Sequence, residues 1–178
     1  MDRLHRRHVI RTLILLGLLV AVFLASLAWL VRRGIPRTLA TVGASIDSLL
    51  RRGHDGGFLV IHISLFRREF VQLKKYSDHR EGCGIQLGFP KAKWSEPYFD
   101  AVWRVCERLG LDCFVGRLEP GEMQFLVVDF GTDVSRATEC VRRILADVFE
   151  VGEGQQVFCK LYDAASAIEP SCSAADVR

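Results

Sequence analysis

An uncharged apolar run near the N-terminus constrains this chain more than any other feature. Residues 13–31 read LILLGLLVAVFLASLAWLV, nineteen positions without a charge, between Arg11 and the pair Arg32 and Arg33. A helix rises about 1.5 Å per residue, so this run matches the hydrocarbon thickness of a bilayer. It continues to a double arginine rather than stopping at a small-residue cleavage site, which favours a retained anchor over a cleaved signal peptide. We predict a transmembrane helix over residues 13–31, after a basic tail over residues 1–12.

Small residues recur every four positions within this run. Gly17, Ala21 and Ala25 therefore share one face of the predicted helix. Small side chains at this spacing let two transmembrane helices approach closely, although glycine and alanine are also common in membrane helices generally. The sequence predicts that this face packs against other membrane protein subunits.

The flanking charges and the overall composition indicate where the protein lies. The short basic tail favours a cytoplasmic N-terminus, which places the following domain outside the cytoplasm, although the flanks are nearly balanced. Arg32 and Arg33 stand where they can meet anionic lipid headgroups. Arginine (19) far exceeds lysine (5) and asparagine is absent, as expected for a bacterium with a GC-rich genome. We predict a single-pass protein of the inner membrane.

The part of the chain after the anchor has the composition of one ordinary folded domain. The whole chain is 49% hydrophobic and 25% charged, and its formal net charge is +3. Roughly 140 residues follow the anchor, enough for a single core. The positive charge is concentrated near the membrane, and no basic stripe with interleaved aromatic residues follows. The composition therefore argues against nucleic acid as a partner.

Apolar periodicity predicts an amphipathic helix directly after the anchor. Thr38 is placed to cap it, and Gly53, Gly56 and Gly57 are placed to end it in a turn. Its apolar stripe is Leu39, Val42, Ile46 and Leu49. Residues 32–56 thus form a juxtamembrane linker and a helix that packs on the domain that follows.

Residues 57–163 alternate between strand-like and helix-like patterns. The predicted strands are residues 58–65, 70–76, 85–89, 113–118, 123–130 and 157–162. One helix begins at Ser95, with Phe99, Val102, Trp103, Cys106 and Leu109 on its buried face, and another begins at Thr132 or Asp133. We predict an α+β domain with an antiparallel sheet and two to three packed helices, in the order α-β-β-β-α-β-β-α-β. Residues 164–178 are predicted to be disordered.

This element order resembles that of type III secretion chaperone-like domains. The resemblance extends over residues 38–150 and is carried by the three-stranded meander, the helix begun by Ser95, the hairpin around residues 119–122 and the helix begun by Thr132. It implies a domain that binds protein partners on a curved sheet and its helices. The resemblance concerns architecture and includes no signature motif. A ferredoxin-like split βαβ variant is the rival fold.

The cysteines leave two interpretations open. The six are Cys83, Cys106, Cys113, Cys140, Cys159 and Cys172. No two are spaced as CxxC, which argues against the usual paired-thiolate zinc, c-type haem and thioredoxin-like sites. An even number in an extracytoplasmic domain indicates disulfides, whereas Cys106 and Cys140 on apolar helix faces indicate free core thiols.

The chain offers one candidate for chemistry, the polar loop over residues 77–84. A thiol beside a histidine and carboxylates can act as a nucleophile. The residues are Asp78, His79, Arg80, Glu81 and Cys83. Because no motif fixes their geometry and zinc needs more ligands, a solvated loop is the simpler interpretation. His62, among aliphatic residues, is interpreted as structural. We predict no catalytic residue, cofactor or metal.

Two classes of function remain. The first is a non-catalytic interaction protein, an accessory, assembly or scaffolding subunit that joins a membrane complex through its helix and holds a protein partner with its domain. The alternative is a membrane-tethered enzyme or ligand sensor that uses the 77–84 loop. The lack of catalytic motifs favours the first class.

Overall fold

A computed structural model describes residues 16–23, 34–64, 69–78, 82–117 and 123–164. The chain divides into two compact units, one that ends at Gly34 and one that begins at Ile35. The second unit contains the sheet and the helices that pack on it.

The first unit contains a helical stretch, residues 16–23 (α1), whose side chains are all exposed. Most of the predicted span over residues 13–31 lies outside the described residues. In the part of the chain that the structure describes, no helix combines the length and the apolar character needed to cross a bilayer. The structure therefore gives no support to the transmembrane helix, which stays a prediction.

The second unit is an α+β domain, as the sequence predicts. Its strands are β1 (Ile35–Arg37), β2 (Gly53–His62), β3 (Phe70–Asp78), β4 (Gly82–Pro90), β5 (Cys113–Arg117), β6 (Gln124–Asp129) and β7 (Val157–Ala164). Its helices are α2 (Gly43–Arg52), α3 (Glu96–Arg108) and α4 (Val134–Arg143), the last continued by a π-helical turn, Ile144–Val148.

The strands form one seven-stranded sheet in the order β1-β7-β2-β3-β4-β6-β5. Every neighbouring pair is antiparallel, which confirms the predicted meander of β2, β3 and β4 and the predicted hairpin of β5 and β6. After the meander, α3 leads to the hairpin of β5 and β6, and β6 pairs with β4. After the hairpin, α4 leads to β7, which pairs with β2 on the other side of the meander. The two edges of the sheet are therefore β1 and β5.

One face of the sheet is buried beneath the helices. Strand side chains alternate between the two faces, so every second residue of a strand points toward the helices. Ile61, Leu73 and Leu87 are such residues, and each is 0% exposed. On the helix side the predicted stripe of α2 is buried as expected, with Leu39, Val42, Ile46 and Leu49 all in the core. These buried residues of the sheet and the helices form the core that specifies the fold.

The residues predicted to cap α4 and α3 behave differently in the structure. The Asp133 side chain accepts a hydrogen bond from the backbone N–H of Arg136 at 2.8 Å, which confirms the predicted cap of α4. Ser95 precedes α3, but its hydroxyl makes no capping bond. It donates instead to the carbonyl of Pro90 and accepts from the N–H of Ala92, so it closes the connection from β4.

Two predictions about the strand and helix boundaries are wrong. Gly53, Gly56 and Gly57 do not form a turn after α2 but lie within β2, where the register against β7 shifts between Gly53 and Phe58. This irregularity uses a positive φ of 80° at Gly56, which glycine adopts readily. Thr38 does not cap α2, because residues 38–42 form hydrogen-bonded turns before the helix begins.

The buried face of α3 also differs from the prediction. Trp103 is only half-buried and packs against the margin of the core, whereas Val105 is almost fully buried at 2% exposure. The core side of this helix is centred on Phe99, Val102, Val105 and Cys106. The helix is therefore turned by a fraction of a turn from the predicted stripe.

Candidate functional site

The sheet has a second face that α2, α3 and α4 do not cover, and we call it the open face. It carries the strand residues that alternate with the buried ones, so their side chains point away from the helix layer. Its side chains are mostly half-buried or exposed. The residues of β2 to β7 on this face include Phe58, Val60, Gln72, Lys74, Gln86, Gly88, Phe114, Gly116, Phe125, Val127, Lys160 and Tyr162.

A groove of about 480 Å³ crosses the open face from β2 to β5. Gly88 and Gly116 deepen the floor of the groove because glycine has no side chain. A Cβ atom on Gly88 would lie 3.9 Å from Cδ1 of Phe125, so a side chain there would project into the groove without striking the backbone. The lining residues are Gly56, Phe58, Gln72, Lys74, Gln86, Leu87, Gly88, Phe114, Gly116, Phe125 and Val127. We call this cavity the open-face groove.

Cross-strand pairing determines which side chains are neighbours in this groove. Phe58 of β2 lies opposite Lys74 of β3, which in turn lies opposite Gln86 of β4. On the far side, Val127 of β6 lies between Gly88 and Phe114. The groove therefore has aromatic rings at both ends and amide and ammonium groups in its middle.

Stacked aromatic rings extend the groove toward β7. Phe58 and Tyr162 are directly opposite in register, with ring centroids 4.8 Å apart and planes inclined by 17°. The ammonium group of Lys160 lies 4.9 Å from the centroid of the Tyr162 ring. Such pairs add about 0.5–1.5 kcal/mol beyond area burial, so they hold this wall in place without help from a helix.

The described lining of the groove carries one positive charge. Lys74 is the charged member of its lining, and no carboxylate lines the described part of it. The nearest acidic neighbour in register is Asp129, opposite Gln86. Both Asp129 oxygens accept from the Tyr76 hydroxyl at 2.8 Å, and Oδ1 also accepts from the N–H of Gly131. The groove suits a ligand that combines apolar groups with an amide or a carboxylate.

The residues predicted for membrane packing remain without an observed partner. Gly17 and Ala21 lie one turn apart on α1, and both are exposed, while Ala25 lies outside the described residues. A Cβ atom added to Gly17 would meet nothing within 4 Å. The packing role of this face stays a prediction.

The 77–84 loop loses its candidate nucleophile. His79, Arg80 and Glu81 lie outside the described residues. Cys83 is disulfide-bonded, so its sulfur is not available as a thiolate, and the interpretation of Cys83 as a possible nucleophile is wrong. Ser77 at the other end of the loop donates its N–H to Asp55. Among the described residues, no three side chains of the metal-binding types come together.

The other described cysteines are free thiols with structural positions. Cys106 of α3 and Cys140 of α4 are hydrogen-bonded to each other, and both are 0% exposed. The bond to Cys106 and burial raise the pKa of the Cys140 thiol, and burial raises the pKa of Cys159. Cys140 and Cys159 are therefore protonated at neutral pH, and Cys106 and Cys140 are enclosed, which fits the interpretation of free core thiols.

His62 lies at the end of β2 on the side of the open face. Its ring is half-buried and tilted against Phe70, with centroids 6.2 Å apart. Burial, reinforced by the positive charge of Lys160, lowers the pKa of His62 below its ordinary value of 6.5. The imidazole is therefore neutral at pH 7, as suits a structural residue.

The sequence pattern predicts the strands of the sheet but not the open-face groove. A signal was present, because Phe58 and Phe125 stand next to the core residues Leu59 and Leu126 and so must face away from the helices. Gly88 is a second signal, because a glycine inside an otherwise apolar strand weakens that strand. Such a glycine often marks a place where another group approaches the backbone closely.

Comparisons with protein-family models, with curated proteins and with solved structures find no match to this chain.

Proposed function

We propose that this chain is a single-pass, membrane-anchored and non-catalytic interaction protein whose open face holds a protein partner. It would serve as an accessory, assembly or scaffolding subunit of a membrane protein complex. The observation that carries the proposal is the open-face groove, about 480 Å³ in volume and lined by Phe58, Phe114, Phe125 and Val127.

The chemistry of the groove suits a protein partner. Protein interfaces are enriched in aromatic residues, and three phenylalanines line the groove. Phe114 is 57% exposed, a large apolar area to leave in water. The amides of Gln72 and Gln86 offer both donors and acceptors to a polypeptide backbone. The proposed partner places apolar side chains in the groove and a carboxylate near Lys74.

The N-terminal run supplies the anchor in this proposal. Residues 13–31 would cross the inner membrane with the N-terminus in the cytoplasm, and Arg32 and Arg33 would meet anionic headgroups. The disulfide at Cys83 supports an extracytoplasmic domain, because disulfides persist in oxidising compartments. The face made by Gly17, Ala21 and Ala25 would join other membrane subunits.

The test is recovery of the partner with tagged full-length protein in mild detergent. Gly88→Leu fills the groove floor, whereas Gly88→Ala, its matched control, adds a Cβ that meets only Phe125 at 3.9 Å. We expect Gly88→Leu to lower partner recovery about tenfold, which corresponds to about 1.4 kcal/mol of binding free energy, and Gly88→Ala to leave it unchanged.

A charge reversal tests the same face without adding bulk. Lys74 is exposed within the groove, and Lys93 is exposed in the connection from β4 to α3. Lys74→Glu should reduce recovery, while Lys93→Glu, with the same change in net charge, should not. Equal recovery from the native chain, Gly88→Leu and Lys74→Glu would refute the role of this face.

The anchor is tested separately. Replacing Gly17, Ala21 and Ala25 together with leucine keeps residues 13–31 apolar but blocks close helix approach. We expect this variant to remain in the membrane after carbonate washing and to lose its membrane subunits. A mature protein that begins at Trp29 would instead show that the run is a cleaved signal peptide.

The enzyme alternative keeps a test of its own. We expect His79→Ala, with Cys83 and its disulfide left intact, to function normally in cells. A folded but inactive His79→Ala protein would favour the enzyme or sensor that uses the 77–84 loop.

A further inference from the structure

The disulfide at Cys83 needs a partner cysteine, and a count of the cysteines leaves one. The chain has six cysteines, and Cys83 is bonded. Four of the other five are free thiols, namely Cys106, Cys113, Cys140 and Cys159. Within the chain, the cysteine that remains to bond Cys83 is therefore Cys172, which lies outside the described residues.

The surroundings of Cys83 favour a partner from its own chain over one from a second copy. Cys83 lies near the start of β4, two residues before the core residue Ile85, so its side chain points to the helix side of the sheet. It is half-buried and packs against the core. Bonded sulfurs lie about 2 Å apart, a separation that two such recessed sulfurs on two folded copies reach poorly. The end of a chain reaches a recessed sulfur more easily.

We propose that Cys83 and Cys172 form a disulfide, which makes the C-terminal tail, residues 165–178, a strap across one end of the sheet. The strands of this part of the sheet lie in the order β7-β2-β3-β4, and each neighbouring pair is antiparallel. The end of β7, the start of β2, the end of β3 and the start of β4 are therefore at the same end of the sheet. The tail begins at this end, directly after Ala164, which lies opposite Gly53.

The length of the tail permits this strap. β7 and β4 are separated by β2 and β3, which makes three strand spacings of about 4.8 Å each, or roughly 14 Å in all. Eight residue steps lead from Ala164 to Cys172. An extended chain spans about 3.3 Å per residue, so these steps can cover about 26 Å. The tail therefore reaches Cys83 with enough length left to pass around the ends of β2 and β3.

Backbone pairing is irregular at the end of the sheet that the strap would cross. The register of β2 against β7 shifts between Gly53 and Phe58, which interrupts the regular ladder there. The N–H of Ser77 donates to the Asp55 side chain at 2.7 Å, so a side chain joins β2 to β3 at this point. A covalent link from the chain after β7 to the start of β4 would hold this end together where the ladder is interrupted.

The strap closes by oxidation and opens by thiol exchange. Its formation transfers two electrons and two protons from the thiols of Cys83 and Cys172 to a disulfide oxidant, which is left as two thiols. In the reverse direction a dithiol reductant attacks one sulfur of the bond, the S–S bond breaks, and the second thiol of the reductant releases the remaining protein thiol. The strap is therefore closed in an oxidising compartment. This proposal does not rest on the membrane anchor or on the partner of the open face.

Peptide mapping tests the bond directly, because cleavage after lysine and arginine places each of the six cysteines on a peptide of its own. The full-length protein is purified without reductant, denatured, treated with iodoacetamide to block free thiols, and digested with trypsin without reduction. We expect residues 81–91 and residues 161–178 as one linked pair, which dithiothreitol separates. The proposal would be overturned if the peptide of residues 81–91 were alkylated, linked to a second copy of itself, or linked to any other cysteine peptide.

Thermal unfolding tests whether the bond stabilises the folded chain as a strap. The bond closes a long loop, from residue 83 to residue 172, which restricts the unfolded chain. We expect Cys172→Ser to lower the melting temperature by about 10 °C, and complete reduction to lower that of the native chain equally. Adding Cys83→Ser to Cys172→Ser should cause no further loss, because both remove one bond.

Cys113→Ser is the matched control, since it removes a half-buried thiol that is free. It should keep the linked peptide pair and the native sensitivity to dithiothreitol. A native chain whose melting temperature is unchanged by complete reduction, or a Cys172→Ser protein that dithiothreitol still destabilises by the native amount, would overturn the strap.

Discussion

The two faces of the sheet are built from the same strands but differ in what their residues do. On β3, Leu73 points to the helices and is 0% exposed, while its neighbour Gln72 lines the open-face groove. On β4 the same contrast holds between Ile85 in the core and Gln86 in the groove. Alternation thus separates residues that specify the fold from residues that are free to bind.

The contrast between the two faces shows which features of the open face are not explained by folding. A sheet face that only met water would favour small polar and charged side chains, as antiparallel sheets often do. Here a Cβ on Gly88 would lie 3.9 Å from Phe125, and Val127 separates Gly88 from Phe114, so the missing side chain leaves a hollow in the sheet face. Core packing does not require this hollow, which is why we propose that it binds a partner.

The largest expected effect is a difference in stability between two variants on β3, one on each face of the sheet. Leu73→Ala should lower the free energy of unfolding by about 2–5 kcal/mol, because it leaves a cavity in the core. Gln72→Ala, one residue away on the open face, should change it by no more than about 0.5 kcal/mol. Denaturant unfolding of both variants measures the difference. Similar losses from the two would show that the open face is also part of a core.

A pair of glycines sharpens the same comparison. A Cβ on Gly57 would lie 2.5 Å from the carbonyl oxygen of Asp163, where the backbone of β7 has no room to move. We expect Gly57→Ala to lower the free energy of unfolding by about 1–3 kcal/mol. Gly88→Ala should leave it within about 0.5 kcal/mol. If Gly88→Ala were the more damaging of the two, Gly88 would be needed for folding rather than for space in the groove.

The smallest expected effect is a pH dependence at the end of the open face. Burial and Lys160 lower the pKa of His62, so the unfolded chain binds more protons than the folded one just below pH 6.5. Stability should therefore fall as the pH drops through 6.5 and be level above it. Melting temperatures between pH 7.5 and 5.5 should show a weaker dependence in His62→Gln than in the native chain. An identical slope in both would assign the dependence to other groups.

The sequence predicted the fold well where periodicity was strong. The alternation in residues 70–76 and the stripe through Ile46 and Leu49 gave the correct strand and helix, because burial of one face imposes both patterns. It failed at Gly53 and Gly57, where glycines that usually mark a turn instead accommodate an irregular strand. It also missed β1, since three residues around Pro36 show no periodicity.

The site was harder to predict than the fold. Which residues flank the open-face groove depends on the register of β4, β5 and β6, and between β4 and β6 that register pairs residues at least 35 positions apart, as in Pro90 opposite Phe125. The chain pattern indicates that Phe125 faces away from the helices, but not that Gly88 and Phe114 are its neighbours. The bonding state of Cys83 stayed open for a related reason, because a sequence does not reveal which cysteines are bonded.

Site-specific photocrosslinking in intact membranes tests the binding role of the open face most directly. A photoreactive phenylalanine analogue replaces Phe125 in the groove and, as a matched control, Ser135 on the exposed surface of α4. We expect one discrete adduct with a different protein from residue 125, none from residue 135, and loss of that adduct when Gly88→Leu fills the groove. An adduct that forms equally from residue 135, or that survives Gly88→Leu, would contradict the assignment of the open face as the binding surface.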